Sequence, residues 1–219
     1  HKEQTLSLLS RLLALTADDL DRIQTDLKRA AGFQPVQVEQ NLDWERFAAV
    51  SVRIPEMPGV APTRGFARNY PLGAAVAHLV GYVGRVSEKE LSGDAVQLLP
   101  GYKIGKTSLE KKYNDILKGA PGQRDVEVNA VGREIRDLQK EDATSGQRLT
   151  LSIDVEYQRF VQDRLADHQS ASAVVMDAHT GAVYALASYP GFDPNLFVDG
   201  IGVQAWNELL YDPAFPLTN

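Results

Sequence analysis

The chain contains no cysteine among its 219 residues, which excludes thiol catalysis, cysteine-ligated zinc and disulfides. It has no apolar run approaching the roughly 20 residues that a membrane helix needs. No signal peptide is visible. No run of lysine and arginine rises above background, and the net charge is -6 with acids and bases interleaved, so nucleic acid is not an expected partner. The four histidines (His1, His78, His168, His179) share no metal-ligand spacing, so neither a metal nor another cofactor is expected. Repeats and low-complexity segments are absent. The first residues, HKEQTLSLLSRLLALT, open mid-helix without an initiator methionine, and the last, FPLTN, carry no capping signal. Both ends therefore read as cut.

What is present is an ordinary folded composition, 43% hydrophobic and 24% charged. Leu6, Leu9, Leu12 and Leu13 give one helical stripe; Leu20, Ile23 and Leu27 give a second, with Thr16 as its cap and Gly32 as its end. PVQVEQ (35–40) alternates like a strand, and Asp43 caps a short helix over NLDWERFAAV. Pro55, Pro58, Gly59 and Pro62 then break the chain. FARNYP (66–71) reads as a strand, AAVAHLVGYVG (74–84) as a short helix, and TSLEKKYNDILKG as one helix. Two strands flank Gly132 as a hairpin, QRLTLSID reads as a third strand, and Asp154 caps a helix with Tyr157, Phe160, Val161 and Leu165 inward. SASAVVMDAHTGAVYALASYP is a hairpin turning near Gly181 and apolar on both arms, so both faces should be covered. One short helix is expected in the loop-rich remainder. An irregular α+β region thus precedes a boundary near residue 148, beyond which a second domain opens.

GYKIGKTSLEKKYNDILKG (101–119) invites two catalytic readings. A phosphate loop needs a glycine five residues before Gly105, where Pro100 stands, so the GKTS sequence reads instead as a turn followed by a cap at Thr107 or Ser108. Ser108 and Lys111 fit the Ser-x-x-Lys spacing of penicillin-recognising enzymes, in which the lysine one turn on takes the serine proton. No Ser-x-Asn follows, and the only Lys-Thr sequence, Lys106-Thr107, lacks the following glycine and overlaps the supposed nucleophile. Glu88 and Glu90 lie on a polar turn with nothing to place them in a cleft, and Asp193-Pro194-Asn195 reads as a turn.

The same stretch, extended through APGQRDVEVNAVGREIRDL, resembles the pedestal signature of class B penicillin-binding proteins. The matching positions are Gly105, Lys106, Leu109, Glu110, Tyr113, Leu117, Gly119, Gly122, Val126, Val128, Gly132 and Arg133; Ser108 departs, because the family has glycine there. Upstream, Arg68, Tyr70, Pro71, Gly73, His78, Gly81 and Tyr82 resemble the family's Arg-x-Tyr-Pro-x-Gly element. Downstream, Asp154, Gln158, Asp177, Gly181, Asp193, Pro194 and Asn195 resemble the opening of its transpeptidase domain, closest to elongation-type members.

The resemblance implies an α+β fold. It comprises a helical head (1–63), an irregular pedestal (64–147) and the first edge of the transpeptidase domain (148–219), stopping before the catalytic serine. It implies a parent enzyme at the periplasmic face of the bacterial inner membrane, held by an anchor outside this chain and acting on peptidoglycan or its lipid-linked precursor. It also implies two partners, a RodA-type glycan polymerase and an MreC-type scaffold, with a head able to hinge at its Pro- and Gly-rich breaks. Two alternatives remain open from the residues alone. One is a serine acyltransferase using Ser108 and Lys111; the other is a free-standing protein-binding module.

Overall fold

The computed structural model describes residues 2–30, 35–63, 65–99, 101–129 and 134–218. The chain divides into two compact units, 1–67 and 68–219.

The first unit is helical: α1 Lys2–Leu13, α2 Ala17–Arg29 and α3 Trp44–Val52. The expected caps are in place. Thr16 Oγ1 accepts from the Asp19 N–H and the Asp19 carboxylate accepts from the Thr16 N–H, a reciprocal pair at the positive end of α2. Asp43 accepts from the Arg46 N–H at the start of α3. Leu9, Leu13, Val50 and Met57 form the core, with Leu12, Leu15 and Val38 against it. Residues 35–40 form no strand. Two of their carbonyls, those of Gln37 and Val38, accept instead from the Arg22 guanidinium at 3.3 and 2.9 Å. Gly32 lies outside the described residues.

Among the described residues the second unit is built from three separate two-stranded antiparallel sheets and short helices. α4 (Ala77–Val80) follows a 3-10 turn at Gly73–Val76 and ends at Gly81, and β1 (Val83–Arg85) pairs with β2 (Lys103–Gly105). The single helix expected after β2 is two, α5 (Ser108–Lys112) and α6 (Asn114–Leu117). They break at Tyr113, beyond which the Asn114 side chain turns back to accept from the Gly105 N–H at 3.0 Å. Thr107 holds the cap position of α5 without a side-chain capping bond. β3 (Gln123–Val128) and β4 (Glu134–Glu141) form the expected hairpin, whose turn lies outside the described residues.

α7 (Val155–Leu165) is capped by Asp154, which accepts from the Tyr157 N–H, and packs on the hairpin of β5 (Ala171–Met176) and β6 (Val183–Tyr189). Its inward face differs from the expected one. Val161 and Leu165 face the sheet, whereas Tyr157 and Phe160 are exposed and the buried positions are Gln158 and Gln162. Only one face of the hairpin is covered among the described residues; Val174 and Met176 on the other are 63% and 57% exposed. The remainder holds two short helices rather than one, α8 (Asn195–Val198) and α9 (Val203–Leu210).

Residues 66–71 and 147–154, expected as strands, are extended without ladder partners. At the first, the Tyr70 N–H donates to the Asn195 side chain, and its carbonyl accepts from that side chain and from the Gly73 N–H. At the second, contact with β6 reduces to two bonds, Ser152 Oγ to the Val183 carbonyl and the Asp154 N–H to the Tyr184 carbonyl.

Gln158 explains why a polar residue stands where an apolar one was expected. Its amide nitrogen donates to the carbonyls of Ala75 (2.6 Å) and Leu186 (2.9 Å), and its oxygen accepts from the Leu186 N–H (2.8 Å). The fully buried side chain thereby satisfies three backbone groups, two on the outer edge of β6 and one in the 3-10 turn at Gly73–Val76. Gln158→Leu should lower unfolding free energy by about 3 kcal/mol or more, because those groups are left buried and unpaired. Gln162→Leu, which removes a single bond to the Ser188 carbonyl, should lower it by about 1 kcal/mol. Urea melts of the two variants check the order; equal losses would refute it.

Candidate functional site

The sequence-marked residues of the second unit converge on one carboxylate. Glu110, on α5, is 5% exposed. An unpaired carboxylate at that depth is costly, so its oxygens need donors. Arg68 supplies two, Nε to Oε1 at 2.9 Å and Nη2 to Oε2 at 3.1 Å, a forked pairing that fixes both groups. The Tyr70 hydroxyl donates to Oε1 at 3.2 Å and accepts from the Val83 N–H at 3.1 Å. Burial first, and then the neighbouring Glu110 charge, push the Tyr70 phenol well above its ordinary range, so it remains a neutral donor.

The network continues through the backbone of Tyr70. Asn195 Oδ1 accepts from its N–H and Asn195 Nδ2 donates to its carbonyl, both at 2.9 Å. Asp193 holds that amide in place by accepting from Asn195 Nδ2 (2.8 Å) and from the Asn195 N–H (2.9 Å). Pro194, between them, is fully buried. Residues 125 positions apart in sequence are joined in one chain of bonds, Arg68–Glu110–Tyr70–Asn195–Asp193.

Gly105 belongs to the hub through its backbone. A Cβ there would lie 2.0 Å from the Glu110 carbonyl oxygen, so only glycine lets β2 pass α5. A Cβ on Gly119 would meet the Thr144 carbonyl at 2.2 Å, in the antiparallel bridge that closes the base of the β3–β4 hairpin. Gly122 lies in the same base. The other marked residues do not join the hub. Lys106 pairs with Glu90. Tyr113 sits at the α5–α6 break, Pro71 is exposed, and Gly73 opens the 3-10 turn. Asp154 and Gln158 act at α7. Asp177 accepts from the N–H groups of His179 and Thr180 in the β5–β6 turn, which Gly181 completes. Gly132 and Arg133 lie outside the described residues.

Two participants went unmarked. Asn114 anchors Gly105, and Glu90 anchors Lys106. The Ser87-x-x-Glu90 spacing of a capping box was the available signal, and the structure forms that box, with the Glu90 carboxylate accepting from the Ser87 N–H. Bonding to Lys106, and then to Ser87, holds the Glu90 carboxyl down to about 2.

In the hub the Glu110 carboxylate, the Tyr70 hydroxyl and the Asn195 amide are each hydrogen-bonded to other groups of the chain, an arrangement that holds distant segments together. Ser108 is likewise occupied. Its hydroxyl donates to the His78 carbonyl at 2.6 Å, and its φ of 48° is a left-handed conformation natural to glycine, the residue that the resemblance places there. Lys111 is exposed. Beside them lies an apolar groove of about 420 Å³ whose lining includes His78, Ser108, Phe192, Trp206, Leu209 and Leu217. Among the described residues no group of three His, Asp or Glu side chains is placed to hold a metal ion.

Small two-stranded sheets and short helices held about the buried Glu110 carboxylate define an irregular α+β fold. The model of the Penicillin-binding Protein dimerisation domain matches residues 1–151, and the chain belongs to that family. It is homologous to the peptidoglycan D,D-transpeptidase MrdA of Escherichia coli K12, 36% identical over 223 residues and 99% of this chain, and to MrdA of Acinetobacter baumannii, 37% identical over 218 residues and 99% of this chain. It covers 35% and 32% of those two proteins, so the chain spans about a third of the length of the curated relatives it matches. Among solved structures it is similar to the complex between PBP2 and MreC from Helicobacter pylori. There the TM-score is 0.77 at 25% identity, over 100% of this chain and 41% of that one. It is also similar to Pseudomonas aeruginosa PBP2 in complex with WCK 5153, with a TM-score of 0.55 at 34% identity over 73% of this chain and 30% of that one.

Two predictions follow from the geometry. Tyr70→Phe should cost about 2 kcal/mol, by stranding the Val83 N–H, and Glu110→Ala about 3 kcal/mol, by stranding Arg68 and Tyr70. The double variant should lose less than the sum, and additive losses in urea would show that the three groups do not act together. For Glu90, a folded-state value depressed from 4.5 to about 2 means that its stabilisation is fully present above pH 4.5 and is lost as pH falls toward 2. The stability gap between the parent chain and Glu90→Gln should therefore narrow across that window; a gap constant from pH 7 to pH 2 would contradict the assignment.

Proposed function

We propose that this chain is the non-catalytic head and pedestal, with the opening of the transpeptidase domain, of an elongation-type peptidoglycan D,D-transpeptidase. On this reading residues 1–63 are the head, 64–147 the pedestal, and 148–219 the first edge of the catalytic domain. The parent protein works at the periplasmic face of the bacterial inner membrane, through an anchor outside this chain. It cross-links stem peptides by serine acyl transfer, with a nucleophile that this chain does not contain. The chain itself binds an MreC-type scaffold and a RodA-type glycan polymerase, and regulates the polymerase.

The observation that carries this reading is the whole-chain likeness to a PBP2 in complex with MreC. The hub, in which the Glu110 carboxylate and the Tyr70 hydroxyl are already hydrogen-bonded within the chain, supports a positioning role over a chemical one. Against the serine acyltransferase reading stand the Ser108 hydroxyl, already donating to the His78 carbonyl, and the exposed position of Lys111. Against a free-standing module stand Val174 and Met176, an apolar strand face that water disfavours.

Intact mass after incubation with penicillin separates these readings. The 24.1 kDa species should carry no adduct, and should bind the soluble domain of an MreC-type scaffold in calorimetry. An adduct abolished by Ser108→Ala would make Ser108 a nucleophile and overturn the proposal. No heat of binding, with no adduct, would remove the scaffold role alone.

A further inference from the structure

The β3–β4 hairpin carries two irregularities, and each inserts an apolar residue. Asp125 pairs with Gln139 and Val126 with Asp137, so Leu138 is the extra residue; Glu127 pairs with Arg136 and Val128 with Glu134, so Ile135 is the extra residue. Leu138 and Ile135 are each 60% exposed. Bulges re-aim side chains and disrupt a ladder at a cost in pairing. Two in one eight-residue strand, each spent on displaying an aliphatic side chain to water, are not explained by packing within the hairpin. Measured along β3, the two insertions fall two residues apart, the spacing that places residues on one face of a ladder.

The charge around them selects among occupants. Residues 123–142 hold six acidic and four basic residues. Of the bases whose side chains are described, Arg136 pairs with Glu127 and Lys140 with Asp142. Asp125 and Glu141 accept from the neutral amides of Gln123 and Gln139, so their charge is not cancelled by those bonds. The apolar pair therefore sits in a rim with surplus negative charge. Such a rim repels an anionic membrane surface. It equally disfavours a second copy of a chain whose net charge is -6. The bulges also interrupt the strand edge, which opposes capture by strand addition and favours contact through side chains.

We propose that Ile135 and Leu138 form the centre of a protein-docking surface, whose partner presents an apolar contact flanked by lysine or arginine. The surface is independent of the head and of the hub. Its recognition follows the usual arrangement of a small apolar centre with a charged rim that steers approach.

A photoreactive benzoylphenylalanine at position 138 of the full-length protein, irradiated in its native cells, tests this. The expected result is a cross-link to a partner peptide that mass spectrometry reads as aliphatic residues flanked by lysine or arginine. Its yield should fall at least about fivefold in an Asp125→Lys, Glu141→Lys background. Cross-linking to lipid, to a second copy of the same protein, or no more than at exposed Lys112 would overturn the proposal. Leu138→Ser should leave the melting temperature within about 2 °C, as for an exposed residue away from the core. A fall of several degrees would assign Leu138 to folding instead, and would equally overturn it.

Discussion

A carboxylate with almost no access to water organises the second unit. The Glu110 side chain is tolerable at that depth only while Arg68 and the Tyr70 hydroxyl both reach its oxygens. That requirement sets the path of residues 68–70, the approach of β1 through the Val83 N–H, and the passage of β2 across α5 at Gly105. An ion pair of this kind adds little net stability compared with a well-packed apolar contact, since desolvation consumes most of the attraction. What it contributes is a single permitted arrangement. Three short segments that would each be unstable alone are held in one register, because every alternative leaves a charge or a hydroxyl without a partner.

Side chains also take over work that sheets normally perform. The amide of Asn195 bonds both the N–H and the carbonyl of Tyr70, the amide of Gln158 bonds both outward groups of Leu186, and the carbonyls of Gln37 and Val38 are taken by Arg22. A planar amide carries one donor and one acceptor in the same relation as a peptide group, so it can occupy the edge of a strand without extending the sheet. This accounts for a fold made of three two-stranded sheets, although isolated two-stranded pairings are marginal in water. The polar residues on the inner face of α7 serve the same purpose, and they displace Tyr157 and Phe160 outward.

This substitution also marks the limit of what the sequence discloses. Elements that rest on local signals were legible: Thr16, Asp43 and Asp154 cap their helices, and Asp177 with Gly181 turns the β5–β6 hairpin. The resemblance singled out Arg68, Tyr70, Gly105 and Glu110 in the pedestal motif and Asn195 in the opening of the transpeptidase domain, and these residues meet in the hub. Their mutual bonding was not legible, because the partners are 40 to 125 positions apart and no local pattern links them. Residues 35–40, 66–71 and 147–154 carry strand-like alternation, yet alternation reports only which side chains are buried. It is silent on whether the backbone partner is a strand or a side chain, and in the first two segments the side chain prevailed. Glu90 was passed over for a different reason, since a carboxylate on a polar turn looks solvated until Lys106 arrives from 16 positions away.

The exposed apolar groups fall into two kinds that call for different explanations. Val174 and Met176 lie on β5, whose opposite face packs against α7, and their alternation continues the logic of a sheet with two covered faces even though the ladder shifts register between Val175 and Met176. Such a face is completed by further polypeptide of the same fold, as the proposed reading of residues 148–219 requires. Ile135 and Leu138 break the alternation of their strand, and no packed face lies behind them among the described residues. Completing a fold would favour an unbroken ladder there, because each bulge forgoes pairing and gains no burial. The proposed docking surface accounts for that irregularity, because it gives the two displayed side chains a use in meeting another molecule.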